Sequence, residues 1–186
     1  MMDVYDAVTS RRAVRGFTDQ PVPKEVLERV LAAAAWSPSS SNIQPWTVYL
    51  VTGAPLAELK KRATERVATG APWDEREFEM SPPANWDCFG APAALFCYID
   101  RGLDRAQWAD LGMYLQTVML LLRAEGLDSC PQMAWSQVRE TVADVLSPPD
   151  DVMLFCGMSI GYEDPEVPYI RTGRAPLDET VTFVDG

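Results

Sequence analysis

Apolar positions along the chain fall into helical and extended spacings that alternate without internal repeat. Val4, Ala7, Val8 and Arg11 recur at i, i+3, i+4 and i+7, which predicts a short amphipathic helix over 3–12. Pro21 and Pro23 break the chain, and Pro23 suits the first turn of a second helix. That helix buries Val26, Leu27, Val30, Leu31 and Ala34 and must end before Pro38. The polar stretch 37–45 reads as a loop, and Trp46 to Val51 as a strand ending at Gly53. Leu56, Leu59, Ala63 and Val67 mark a third helix. Residues 70–90 lack periodicity and read as a loop or lid. Ala93 to Ile99 predicts a strand buried on both faces. The longest helix spans 105–125, with Trp108, Leu111, Leu115, Val118, Met119 and Leu122 on its apolar face and Gly126 placed to stop it. Residues 128–137 read as a loop, 138–146 as a short helix halted by Pro148 and Pro149, and Val152 to Ile160 as a second buried strand. The tail, 163–186, carries a possible strand at Thr180 to Val184. The expected class is α+β, a central sheet packed by helices in one domain over 1–186. A tail of this length without its own core needs a surface, either on a partner subunit or on the same chain.

Composition narrows the chemistry. The 186 residues are 47% apolar, ample for one core. Sixteen Lys and Arg against 27 Asp and Glu give a net charge of −11, which argues against a nucleic-acid partner. There is no histidine. Ser-His-Asp and Cys-His catalysis and His-ligated metals are therefore excluded, as is the commonest general base near neutral pH. Cys88, Cys97, Cys130 and Cys156 form no CxxC pair and read as buried reduced thiols. The N-terminus is acidic and amphipathic, unlike a signal peptide, and the longest aliphatic run, Val118 to Leu122, is too short to span a membrane. The expectation is a soluble cytoplasmic protein with no membrane partner.

Three constellations could carry function. Arg11, Arg12 and Arg15, with Ala13 and Val14 between, could surround a phosphate, since the guanidinium fork binds oxyanions in a bidentate way. Solvated charges at a helix C-terminus would look the same. The loop Pro38-Ser39-Ser40-Ser41-Asn42-Ile43-Gln44-Pro45 could read a polar heterocycle through hydroxyl and amide groups; an ordinary turn would carry the same residues. Arg171 and Arg174, flanking Gly173, could close on the same phosphate or merely balance nearby acids. The chain contains no GxGxxG, P-loop, GxSxG or HExxH fingerprint.

Taken together these segments resemble the FMN-dependent nitroreductase family. The similarity runs through RRAVRGF, SPSSSNIQPWTVYLV, FGAPAALFCYID, WADLGMYLQ, GLDSCPQMAW, FCGMSIGYEDP and RTGRAPLDETVTFV, in order and over nearly the whole chain. The resemblance implies a nitroreductase-like fold with a mainly antiparallel sheet, in an intertwined homodimer binding FMN at the interface. It implies that Arg11, Arg12 and Arg15 contact the phosphate and ribityl chain, with Arg174 and Arg171 completing the phosphate site. Pro38, Ser39, Ser40 and Asn42 would line the isoalloxazine from the partner subunit, with Gln44 nearby. Pro131 would stack near the flavin. Gln132 falls in the same cofactor-binding stretch, and the backbone N–H groups of Met133 and Ala134 would approach flavin N5.

Ala13 stands where many members have Ser, which removes a hydroxyl contact. The stretch Ser81 to Phe89 is short where relatives carry a longer helical insertion, which implies a pocket that is either more open or closed by another segment. The implied activity is hydride transfer from NADH or NADPH through flavin N5 to a nitroaromatic, quinone or related conjugated acceptor, by ping-pong kinetics and with no catalytic side chain. Other flavin chemistry on the same fold, such as dehalogenation, enone reduction or flavin breakdown, fits the same residues. So does a non-catalytic redox sensor.

Overall fold

The structure, a computed structural model, describes residues 2–69, 83–168 and 172–184. Its centre is a four-stranded sheet: β1 (Thr47–Thr52), β2 (Ala93–Asp100), β3 (Asp128–Gln132) and β4 (Val152–Gly161). The spatial order is β1-β2-β4-β3, and every neighbouring pair is antiparallel. β2 is apolar at seven consecutive positions and buried at all of them, because helices cover both its faces.

Helices α2 (Lys24–Ala34) and α4 (Arg105–Ala124) cover one face. There Leu27, Val30, Leu111, Val118 and Leu122 pack with Leu95, Cys97, Met158 and Ile160. Helices α3 (Gly53–Ala68) and α5 (Arg139–Leu146) cover the other, where Leu56, Leu59 and Val142 meet Phe96, Tyr98 and Trp135. α4 begins with a capping box between Asp104 and Gln107. It stops where Gly126 takes a φ of 78° and Leu127 N–H reaches back to the Leu122 carbonyl at 2.9 Å. Among the described residues no helix is long and apolar enough to cross a membrane.

Three elements differ from the expectation. Residues 128–132 form strand β3 rather than a loop, in register from Asp128↔Gly161 to Gln132↔Gly157. Its sequence, DSCPQ, has little β propensity, and Pro131 is tolerated because β3 is an edge strand. The tail forms one helical turn, α6 (Leu177–Thr180), and residues 181–184 join no strand within the chain. The first helix, α1 (Val4–Ser10), buries only Ala7. Val4, Tyr5 and Val8 are exposed, Tyr5 to 80%. Of the stretch read as a lid, 70–82 lies outside the described residues, and 83–90 forms two short turns.

The β3 register places Gln132 opposite Gly157, and the following turn, Met133–Val138, folds Trp135 over that glycine. A Cβ on Gly157 would lie 2.4 Å from Trp135 Cδ1. The indole is fully buried and is held edge-to-face by Trp86 at 5.6 Å and Phe96 at 5.2 Å between ring centroids. Gly157→Ala must displace the ring, so it should lower unfolding free energy in urea by about 1–3 kcal/mol. An unchanged midpoint would show that the notch is not required.

Candidate active site

The segment after α1 runs beside the outer edge of β3. Val14 N–H donates to the Ser129 carbonyl at 3.1 Å, and Ala13 pairs with Ser129 in a parallel bridge. Two residues beyond Ser129, Pro131 and Met133 are exposed, while Gln132 and Ala134 face inward. The bridge therefore brings Arg11–Arg15 alongside Pro131–Ala134, two sets of predicted site residues 116 or more positions apart in sequence. Phe17 N–H extends the same seam to the Phe89 carbonyl at 3.0 Å, and Thr18 N–H to that of Tyr162 at 3.0 Å.

The three arginines divide. Arg12 forms an ion pair with Glu163, just past β4, and is partly buried. The Arg11 and Arg15 side chains make no hydrogen bond or ion pair among the described residues, and Arg15 is exposed. In a chain of net charge −11, unpaired guanidinium groups beside a strand edge form an anion-binding surface. Behind them Arg123 donates to Asp128 at 2.8 Å. Burial pushes the Asp128 carboxyl upward and Glu163 adds to this, against the opposing pull of Arg123 and Arg12.

The loop 37–45 lies elsewhere on the protomer. Its described hydrogen bonds go to itself, to α2 and to α4. Gln44 N–H donates to Ser39 Oγ at 3.0 Å, and Ser37 Oγ to the Ala34 carbonyl at 2.7 Å. Ser40 N–H donates to the buried Asp110 carboxylate on α4 at 3.0 Å. Ser41, Asn42 and Gln44 all take positive φ, between 51° and 57°, a conformation that is unfavourable for side-chain-bearing residues. Pro38, Ser40, Asn42 and Gln44 are thereby held outward, and Ser39 is half-buried.

Arg174 is exposed and its guanidinium touches only local groups, Gly173 O at 2.9 Å and Thr172 O at 3.3 Å. Arg171 lies outside the described residues. The described contacts do not bring Arg174 to Arg11 or Arg15 within one chain. The Gln132 side chain is 3% exposed and bonded to Asn85 and Ser159, so its contact with any cofactor runs through the backbone.

Sequence reasoning did not single out Asp110, Glu163, Asn85 or Ser159. Only Asp110 carried a signal, as an acid one turn before Tyr114 beside the apolar stripe of α4. A cavity of about 610 Å³ among the described residues contains none of the predicted residues. It sits at the end of β1, between Leu27, Leu50, Leu56, Lys24 and Lys60.

Comparison with known proteins identifies the family. The model of the Nitroreductase family matches residues 8–162. A 4-nitrobenzoate reductase of Pseudomonas putida is 32% identical over 220 residues, covering 98% of this chain and 95% of the relative. That alignment is longer than the 186-residue chain, so the relative carries insertions. The crystal structure of an FMN and NADPH-dependent nitroreductase, NfnB from Sphigopyxis sp. strain HMH, superposes with a TM-score of 0.89 at 32% identity, covering 98% of this chain and 99% of the other. The FMN-dependent nitroreductase NfnB from Mycobacterium smegmatis, in complex with NADPH, superposes at 0.87 with 28% identity, covering 98% and 100% of the two chains. The chain belongs to the nitroreductase family.

The raised Asp128 carboxyl has a measurable consequence. The folded state holds its proton to higher pH than the unfolded chain, whose carboxyl titrates near about 4. Stability contributed by this group is present below that pH and is lost as pH rises through the raised folded value. Urea unfolding against pH should show this decline, and Asp128→Asn should remove it. An identical pH profile in the variant would overturn the assignment.

Proposed function

We propose that this chain is an FMN-dependent oxidoreductase that takes reducing equivalents from NADH or NADPH and passes them to nitroaromatic compounds, with quinones and related conjugated molecules as further acceptors. The observation that carries the reading is the Val14–Ser129 bridge, which sets Arg11 and Arg15 beside the exposed turn at Pro131 and Met133. The nitroreductases named among its relatives and structural neighbours support the cofactor and substrate class.

The residues present fit FMN. Arg11 and Arg15 have no counter-ion among the described residues, as a phosphate site requires. Ala13 contributes only a methyl where a hydroxyl would add a contact. When bound, FMN supplies a two-electron carrier that accepts and donates hydride at N5. The protein's part is to anchor the phosphate, present the backbone N–H groups of Met133 and Ala134, and give planar ligands one shared surface. With no imidazole in the chain, protons come from water, from the flavin or from a non-histidine group. Pro131 and Met133 form one wall of that surface.

The second wall, Pro38, Ser39, Ser40, Asn42 and Gln44, is bound to α4 rather than to the arginine segment, which supports its being supplied by a partner subunit. A homodimer also accounts for the exposed Tyr5, Trp36, Trp108 and Met113, and for the apolar tail residues Leu177 and Phe183. β1 is a sheet edge with nothing paired to its outer side among the described residues, so it offers the tail at 163–186 a place to dock on a second copy. Arg174, and Arg171 with it, would reach the phosphate by that route. The insertions in the relative support a more open pocket in this chain. The four free, buried cysteines support a cytoplasmic location.

The test is direct. Purified protein reconstituted with FMN should be yellow, bleach with NADH or NADPH, and recolour on adding a nitroaromatic or quinone. A colourless protein that takes up no FMN would sink the reading. A yellow protein that neither donor bleaches would leave a flavin-binding sensor. Arg15→Ala should weaken FMN binding by about tenfold or more without lowering the melting temperature of the FMN-free protein. Arg12→Ala should lower both, since it also removes the Glu163 ion pair. Truncation after residue 170 should release FMN and yield monomers in sedimentation; a flavinated monomer would contradict the interface.

A further inference from the structure

Beneath the exposed turn at Pro131–Ala134 lies a buried polar chain that the anchoring of a flavin does not by itself require. The Gln132 amide N–H₂ donates to the Asn85 side-chain and main-chain oxygens, both at 3.0 Å. Its amide oxygen accepts from the Ser159 hydroxyl. Gln132, Asn85 and Ser159 are all at most 8% exposed. These groups come from β3, β4 and the segment 83–90, which follows directly on 70–82.

A polar chain in an otherwise apolar layer must be connected throughout to be tolerated. Once connected, it specifies one arrangement of the elements that carry it. Gln132 is the residue before Met133. Trp135, seated on Gly157, is the residue after Ala134. The backbone at Met133–Ala134 is therefore gripped on both sides, by an amide chain upstream and by a ring in a notch downstream. Segment 83–90 holds both grips, through Asn85 on Gln132 and through Trp86 on Trp135 at 5.6 Å. It has little freedom of its own, because Cys88, Phe89 and Gly90 all take positive φ, and a Cβ on Gly90 would lie 3.0 Å from the Phe17 carbonyl oxygen.

We propose that Gln132 is a positioning residue which, through Asn85 and Ser159, fixes the backbone N–H groups of Met133 and Ala134 toward the flavin and makes their placement depend on the position of segment 83–90. The inference rests on the flavin reading above and assigns Gln132 an indirect role. Displacement of that segment would then be felt at the flavin through Gln132.

Amide hydrogen exchange on the FMN-free protein, paired with the midpoint potential of the FMN-loaded protein, tests this. Ser159→Ala is the mild variant and Gln132→Met the severe one. Each should speed exchange at Met133 and Ala134 by about tenfold, as expected for loss of a buried hydrogen-bond partner, while β1 and the core of β2 stay protected. The flavin potential should shift in both, more in Gln132→Met, and FMN affinity should change little. Unchanged exchange at these two amides, or equal acceleration throughout the sheet, would overturn the inference alone. So would an unchanged potential in Ser159→Ala, the variant best placed to fold. Wild-type protein that binds no FMN would overturn the flavin reading and this role together.

Discussion

The pairing of β3 with β4 is the contact on which the candidate site depends. It turns a stretch of poor strand formers, DSCPQ, into an ordered edge. That edge offers Ser129 to Val14, and so draws the arginine segment to the turn. The same register sets Gln132 against Gly157 and makes room for Trp135. A slip of one residue would reverse which side chains face inward, exposing Gln132 and burying Pro131 and Met133. The proposed phosphate anchor, planar shelf and backbone donors thus share one set of ladder hydrogen bonds.

The site is divided between rigid and costly parts. The shelf side is built on sheet and packed indoles. The loop 37–45 instead keeps three residues in left-handed conformations and relies on the single buried carboxylate of Asp110 for its described tie to α4. Such geometry persists only where its surroundings over-determine it. A second subunit against that loop would supply the missing constraint, which gives the proposed interface a structural task beyond completing the pocket.

Much of the fold was legible in the chain. The long helix, its glycine stop, the two buried strands and the helix ending before Pro38 all follow from spacing and punctuation. Strand β3 was not legible, because its order comes from β4 rather than from Asp128, Ser129 and Pro131. The α1 spacing marked an amphipathic helix, and its Val4 and Val8 face outward, since periodicity shows that a face is apolar but not which molecule covers it. For the site, the residue types at 11–15, 38–44 and 131–134 carried the signal. The burial of Gln132 and the Arg12–Glu163 pairing did not show, because both depend on partners brought together only by the sheet.

The cysteines carry a last implication. Burial pushes Cys88 and Cys156 up to about 12 and Cys130 up to about 11, and holds Cys97 well above its usual value. At neutral pH the chain therefore presents almost no thiolate. Two-electron reduction of a nitro group yields a nitroso compound, an electrophile that reacts readily with thiolates. A protein generating such a molecule on its own surface would be open to N–S adducts at its own thiols, and interring its four sulfhydryls in the core shields it from them.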